Sequence, residues 1–398
     1  MTWQCEFRRA LAALLAAAVA CPPAHALISL NEGRDRLFVN GSVSISGDSN
    51  VFANSDNKGD LVYSTSLSAE YTRRAGWIGV NARASVGSSR FATIRGQDFD
   101  NPSLGLEFTK QSGRTTGSLS LSAARESRAD ASVNLRSTSW NIPVGLNFKY
   151  PIVSVYTLSG SLGYSSRKYL EESVFSSLST YSATLDLFRI LSTEREMIAG
   201  YRYRFSESSR STTSTDHALS LGLSGKLIRG LKGSVRVGYQ TRGASGARIG
   251  GVAGRETKFD SWTASSSSSY SLSRKLVFSG SIAKDFSTTA TDSYVDTTNA
   301  SVRTQYAFSS KWNAGAGVDF GDSKFLGEAG RIVLDPGPPP LLGQGRHDNY
   351  VSWNASIGYS MNAHLTASLS YSWFQNWSSI SFADFVRSSW SFSASTRW

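Results

Sequence analysis

Apolar residues recur at every second position through most of the chain. This periodicity limits the fold to strands whose two faces meet different surroundings. It is plainest at the end, where Trp390, Phe392, Ala394, Thr396 and Trp398 alternate with Ser391, Ser393, Ser395 and Arg397. The series opens with Leu37, Val39, Gly41, Val43 and Ile45, and returns with Leu61, Tyr63, Thr65, Leu67, Ala69 and Tyr71. There are about 18 such segments, an even number that puts both ends of a closed barrel on one side. Each supplies the roughly 9–11 tilted residues with which a strand crosses a bilayer. The gaps read short and long in turn, the asymmetry of periplasmic turns and extracellular loops. After the first 26 residues, no stretch has the length and apolarity of a membrane-spanning helix. The expected fold is all-β: a transmembrane antiparallel up-and-down β-barrel of about 18 strands.

The first 26 residues read as an export signal. Arg8 and Arg9 precede the apolar run Ala10 to Ala20, and Ala24-His25-Ala26 is a small-residue cleavage site. The expected organisation is a leader over 1–26 and a single barrel domain over 27–398. Both cysteines of the chain, Cys5 and Cys21, fall in the leader. Cleavage at Ala26 therefore leaves neither a disulfide nor a thiolate metal site. Cys21 loosely resembles a lipidation box, but Ala18 stands where Leu is usual and Pro22 follows. The formal charge of +11 points to anionic partners such as lipopolysaccharide or acidic glycan. Nucleic acid does not fit behind an export signal.

Aromatic residues cluster at strand ends, where rings with an apolar body and a polar edge favour the membrane interface. Tyr71, Trp77, Tyr150, Trp312 and Trp398 belong to the expected periplasmic girdle, and Trp262 and Trp353 to the outer one. The positions between the apolar ones then line the lumen. Among them are Glu70, Arg83, Lys149, Asp186, Arg202, Arg204, Lys232, Arg236, Arg303 and Asp319. Basic positions outnumber acidic ones, so the bore should mildly favour anions unless these charges pair with one another. Barrels of about 16–18 strands leave an aqueous channel, with room for a loop folded inward.

Three places disturb the pattern. Pro143 lies inside the run Trp140 to Tyr150 and predicts a bulge or a later strand start, because a closed barrel has no edge for a missing N–H. Gly321 to Asn349 reads as the longest loop, stiffened by Asp335-Pro336-Gly337-Pro338-Pro339-Pro340. Gln240 to Asp260 reads as a second loop, whose Arg242, Arg248 and Arg255 suit acidic sugar. No catalytic set stands out. His217, His347 and His364 are scattered, Asp216-His217 beside many serines is a weak hydrolase signal, and no metal or cofactor motif is present.

The segment Asp48-Ser49-Asn50-Val51-Phe52, after the first alternating strand, resembles the opening of the β-barrel porin 2 family. The resemblance extends in style through turns such as Ser273-Arg274-Lys275 to the aromatic end, which resembles the signal read by the barrel-assembly machinery. It implies an outer-membrane outlet for an exported polysaccharide, working with a periplasmic polysaccharide-export protein, and no catalytic or cofactor-binding residues. Two other readings stand beside it: a general diffusion porin for small anionic or sugar solutes, and a plugged structural or adhesive barrel.

Overall fold

Alternation becomes geometry once each strand finds two neighbours. The computed structural model describes residues 28–30, 34–74, 76–131, 134–245, 256–291, 293–326, 331–335 and 341–398. The leader, Arg248, Arg255 and residues 336–340 lie outside them. The main sheet has 19 strands, of which Ile28–Leu30 is a short segment beside the start of the first long one. The other eighteen form the wall. They are β1 (Asp35–Asp48), β2 (Asp60–Arg73), β3 (Gly79–Phe91), β4 (Phe99–Lys110), β5 (Thr116–Asp130) and β6 (Leu135–Val153). Then come β7 (Tyr156–Tyr169), β8 (Leu178–Ser192), β9 (Arg195–Ser208), β10 (Thr213–Ile228), β11 (Leu231–Ser245) and β12 (Glu256–Ser271). Last are β13 (Leu276–Thr288), β14 (Tyr294–Ala307), β15 (Trp312–Leu326), β16 (His347–Ser360), β17 (Leu365–Ser378) and β18 (Phe385–Arg397).

Every strand pairs antiparallel with its sequence neighbours, and β18 returns to β1 with Asn40 opposite Arg397 and Ile45 opposite Phe392. The expected closed antiparallel barrel is thus the observed one. Val39 and Trp398 exchange backbone hydrogen bonds of 3.0 and 2.9 Å, and the Trp398 ring stacks on His364 with centroids 4.4 Å apart. The closing strand is held at its last residue.

The outward face is apolar and open. Leu219, Leu221 and Val237 are 65%, 63% and 58% exposed, which hydrocarbon tolerates and water does not. Aromatic pairs mark the rims of this face: Trp312 with Tyr359 at 4.5 Å, Trp353 with Tyr371 at 5.0 Å. Tyr71 and Tyr150 lie near the turn ends of β2 and β6, and Trp262 stands exposed on β12. Trp77 is exposed in the turn before β3, two residues earlier than the strand begins. The inward face explains the abundance of serine. Cross-strand hydroxyl pairs such as Ser42–Ser66, Ser85–Ser103 and Ser368–Ser393, at 2.6–2.7 Å, satisfy polar groups with small side chains that leave the bore open.

Several expectations are corrected. The strands run 12 to 19 residues, longer than the bilayer needs, so much of what reads as loop is strand. β11 continues to Ser245, and Arg242 belongs to this strand instead of an outer loop. β15 continues to Leu326, a two-strand hairpin (Arg331–Asp335 with Leu341–Gly345) follows, and β16 starts at His347. Above the hydrocarbon the outward face no longer meets lipid, and the apolar alternation that marks a strand fades there. Pro143 makes no bulge. It pairs with Ser165 in unbroken register, and on its other side the ladder resumes at Ala124–Asn141 in the register it left at Leu121–Val144. The strand accommodates the missing N–H by omitting pairs.

The segment Asp48 to Phe52 shapes the first outer loop. Asp48 pairs with Arg387 at 2.6 Å. Fully buried Asn50 donates through Nδ2 to Asn54 O (2.7 Å), Asn57 Oδ1 (2.8 Å) and Val386 O (3.3 Å). At about 0.5–1.5 kcal/mol per bond, Asn50→Ala should loosen this loop by roughly 2–3 kcal/mol while the barrel stays closed. The expected result is new protease cleavage within residues 49–59 with unchanged heat-shifted gel migration; an uncut loop would refute the assignment.

Candidate functional site, a narrowed bore

Two seams in the wall build the site. β11 and β12 pair all the way to Ser245–Glu256, yet the β12–β13 ladder stops at Ala264–Lys284. β13 stays paired with β14 to Thr288–Tyr294, and β14 with β15 to Tyr294–Leu326, so the outer end of that hairpin is free along its β13 edge and attached to the wall along β14. The β4–β5 ladder likewise ends at Ser103–Ala124, one residue from Pro102, while β5 and β6 stay paired to Asp130–Leu135. The wall thus opens at two seams, each freeing one edge of a hairpin end whose other edge stays paired, and their contacts show that both edges turn into the bore.

The β13–β14 end is pinned by charge to the inner face of β9–β11. Asp285 receives Arg202 at 2.7 Å and Arg204 at 3.2 Å. Arg204 also pairs with Asp216 and donates to Phe286 O at 2.7 Å. Arg242, only 1% exposed, makes two bonds to Asp216 (2.6 and 2.8 Å), donates to Ser287 O at 2.8 Å, and lies over the rings of Phe286 and Tyr294. The Tyr294 hydroxyl donates to Thr213 O at 3.3 Å. At the tip, Ala290 O accepts from Ser176 N at 2.7 Å and packs with Tyr169 and Phe175 of the β7–β8 region. Parity explains the contacts: Phe286 and Tyr294 continue the face that points to lipid lower down, and folding inward turns that face onto the wall.

The β5–β6 end lies against β1–β4. Arg136 rests on the rings of Phe91 and Phe99 at 5.1 and 4.8 Å. Above the outer aromatic belt, burial, and after it the charge of Arg387, pulls the Arg136 guanidinium down to about 10, against the opposing carboxylate of Asp48. Asn134 at the tip donates to Ala53 O at 2.9 Å and accepts from Arg346 at 3.1 Å, joining three loops over the mouth.

The expected lumen residues fall into three groups. Asp186 with Arg236 (2.9 Å), Asp319 with Arg303 (3.0 Å) and Glu70 with Arg397 (3.7 Å) are wall pairs. Arg202 and Arg204 serve the inward hairpin. Arg83, Lys149 and Lys232, nearer the short turns, form no ion pair within 4.0 Å among the described residues; Lys149 lies 5.5 Å from the Phe188 ring centre. The outer bore is therefore largely self-neutralised, whereas free charge of both signs, Glu107 and Glu196 beside these cations, lies toward the turn side. Sequence reasoning missed Asp216, Arg242, Asp285 and Tyr294 as bore residues. The available signal was charge within strand-length segments, Lys284-Asp285 above all. Asp216 and His217 are adjacent on β10 and so occupy opposite faces; His217 packs against Tyr203 outside while Asp216 binds arginines within. They cannot act as one hydrolytic pair.

A Neisseria meningitidis iron transporter, FrpB (F3-3 variant), has a similar structure, with a TM-score of 0.51 and 10% identity over 87% of this chain and 62% of its own, so the chain spans about six tenths of that protein's length. Pseudomonas aeruginosa OccK8 (OprE) shows a TM-score of 0.47 and 12% identity over 92% of this chain and 98% of its own. No family model and no curated protein matches. At these identities the likeness is one of fold, that of outer-membrane β-barrels.

Asp285→Asn should weaken the hold of Arg202 and Arg204 on the hairpin. Single-channel conductance is expected to rise by roughly twofold or more as the bore widens, whereas conductance equal to wild type would mean that the hairpin does not narrow the bore.

Proposed function

We propose that this chain is an outer-membrane channel that passes small anionic or sugar solutes through a narrowed bore. The observation that carries the reading is the β13–β14 hairpin end, which occupies part of a lumen that eighteen strands would otherwise leave wide. Filling the bore to one side fits selection among small solutes and weighs against an open conduit for a polymer chain, the function implied by the Asp48 to Phe52 resemblance. Among the described residues, Arg83, Lys149 and Lys232 outnumber the likewise unpaired Glu107 and Glu196 near the short turns, which supports a mild preference for anions, since charge rings set ion selectivity in such pores. In this setting the outward aromatics meet outer-membrane lipid and lipopolysaccharide.

Planar-bilayer recording of the purified chain tests this, together with swelling of liposomes in neutral sugars of increasing size. The expected outcome is discrete conductance steps with anions passing more readily than cations, and entry of mono- and disaccharides but not of long dextrans. A silent bilayer would favour the plugged structural barrel. Free passage of dextran, or loss of surface polysaccharide on deleting the gene with small-solute uptake unchanged, would restore the export reading.

A further inference from the structure

The space left between the inward hairpins and the facing wall is a cavity of ≈ 650 Å³, within the roughly 300–1,000 Å³ typical of small-molecule sites. Its lining is divided by chemistry. On one side, β5 and β7 present Arg128 and Arg167, neither within 4.0 Å of a carboxylate among the described residues. The carboxylates of the lining are Asp130 and Asp348, and Asp348 is already bound by Arg346 at 2.5 Å. On the facing side, Tyr350 stacks on Phe374 with centroids 5.3 Å apart, and Phe374 stacks on Phe385 at 5.4 Å, so the ring faces are fixed in advance. The Tyr350 hydroxyl is committed to Asn299 at 3.0 Å.

Those two sides suit different parts of one ligand. A fixed aromatic face accepts the C–H side of a sugar ring, and guanidiniums without a carboxylate partner, one of them (Arg167) steadied by the Tyr169 hydroxyl, hold a carboxylate with a fork of N–H donors. Asn141, Ser165 and Thr180 between them supply donors and acceptors for ring hydroxyls. A simple inorganic anion would leave the aromatic platform unused, and a cation would meet the two arginines.

We propose that this cavity is a binding station for an acidic sugar, with its ring on the Tyr350–Phe374 platform and its carboxylate toward Arg128 and Arg167. The inference rests on the small-solute channel reading and deepens it by naming a substrate class and a place. It also gives a purpose to aromatics on the wet face of β16 and β17, where the wall itself asks only for small polar residues.

The test is calorimetric titration of the full-length chain in detergent with galacturonate, galactose and acetate, alongside bilayer recording of current block by the same three. Galacturonate is expected to bind at least about tenfold more tightly than galactose or acetate, a difference of about 1.4 kcal/mol. Arg128→Gln with Arg167→Gln should remove the preference for galacturonate over galactose. Tyr350→Ala should weaken both sugars without changing acetate, and Tyr350→Phe should restore sugar binding because the ring face remains. Heat-shifted gel migration confirms that each variant is folded. Galacturonate binding no tighter than acetate, or unmoved by the arginine and tyrosine changes, overturns the proposal. Conductance without sugar binding sinks the station and leaves the channel standing; galacturonate binding with the expected variant effects in a barrel that never conducts sinks the channel and leaves the station.

Discussion

A backbone amide inside hydrocarbon has no water to turn to, so each one must find its partner within the wall. That constraint explains the continuous ladder from β1 round to β18 and back. Closure at Asn40–Arg397 through Asp48–Ser389 removes the two strand edges that an open sheet would expose to lipid. The side chains follow from the same requirement. With the backbone satisfied in the wall, one face is left to be apolar, as at Leu219 and Val237, and the other to be small and polar, as in the serine pairs. Pro143 shows how strictly register is kept. Losing a pair or two on one side is tolerated, but a shift of one residue would exchange the lipid and lumen faces of everything beyond it.

Outside the hydrocarbon the constraint lapses, because water can bind a backbone group that leaves the ladder. Both seams open at the outer ends of long strands, above Ala264–Lys284 and above Ser103–Ala124. Once released, a hairpin end must still place its former lipid face somewhere. Phe286, with almost no exposed surface, and Tyr294 find cover against the inner wall, and Arg242 lies over both rings. Burying Arg242 is tolerable because Asp216 meets it with two short bonds. Removing one partner of such a pair typically costs about 3–5 kcal/mol. The hairpin is therefore held by interactions that depend on one another, and a narrowed bore follows from strands that outgrow the membrane.

The part of the fold that faces lipid was legible in the sequence, since hydrocarbon enforces a period of two that runs from Leu37 to Trp398. Strand number, closure and the inward positions of Asp186, Arg236, Arg303 and Asp319 all follow from parity. Strand ends above the membrane were not legible. There Gln240 to Ser245, whose inner face (Gln240, Arg242, Ala244) is buried against the inward strand, and Gly321 to Leu326 have no lipid-facing apolar row and look like loop. The inward hairpins were hidden for a different reason. Their placement depends on pairs such as Arg202–Asp285 and Arg346–Asn134, between residues far apart in the chain and on strands that are not adjacent. Tyr350 and Phe374 did leave a trace, being aromatics at lumen positions beside outward Val351 and Trp373. Parity alone does not say what such rings are for.

The chain's excess of positive charge is spent unevenly along the bore. In its outer half, arginines from β9 and β11 meet carboxylates from β8, β10 and β13, so their fields largely cancel at the distances of a narrow passage. Toward the short turns, Arg83, Lys149 and Lys232 on one hand and Glu107 and Glu196 on the other form no such pairs among the described residues, and their fields reach the solvent within a Debye length of about 8 Å. Fixed pairs above and free charges below divide the bore into two electrostatic zones. An all-basic lumen would hold an anion along its whole length, and a fully paired one would offer it nothing. Separating paired from free charge by depth leaves one part of the bore electrostatically quiet and the other able to respond to a mobile ion.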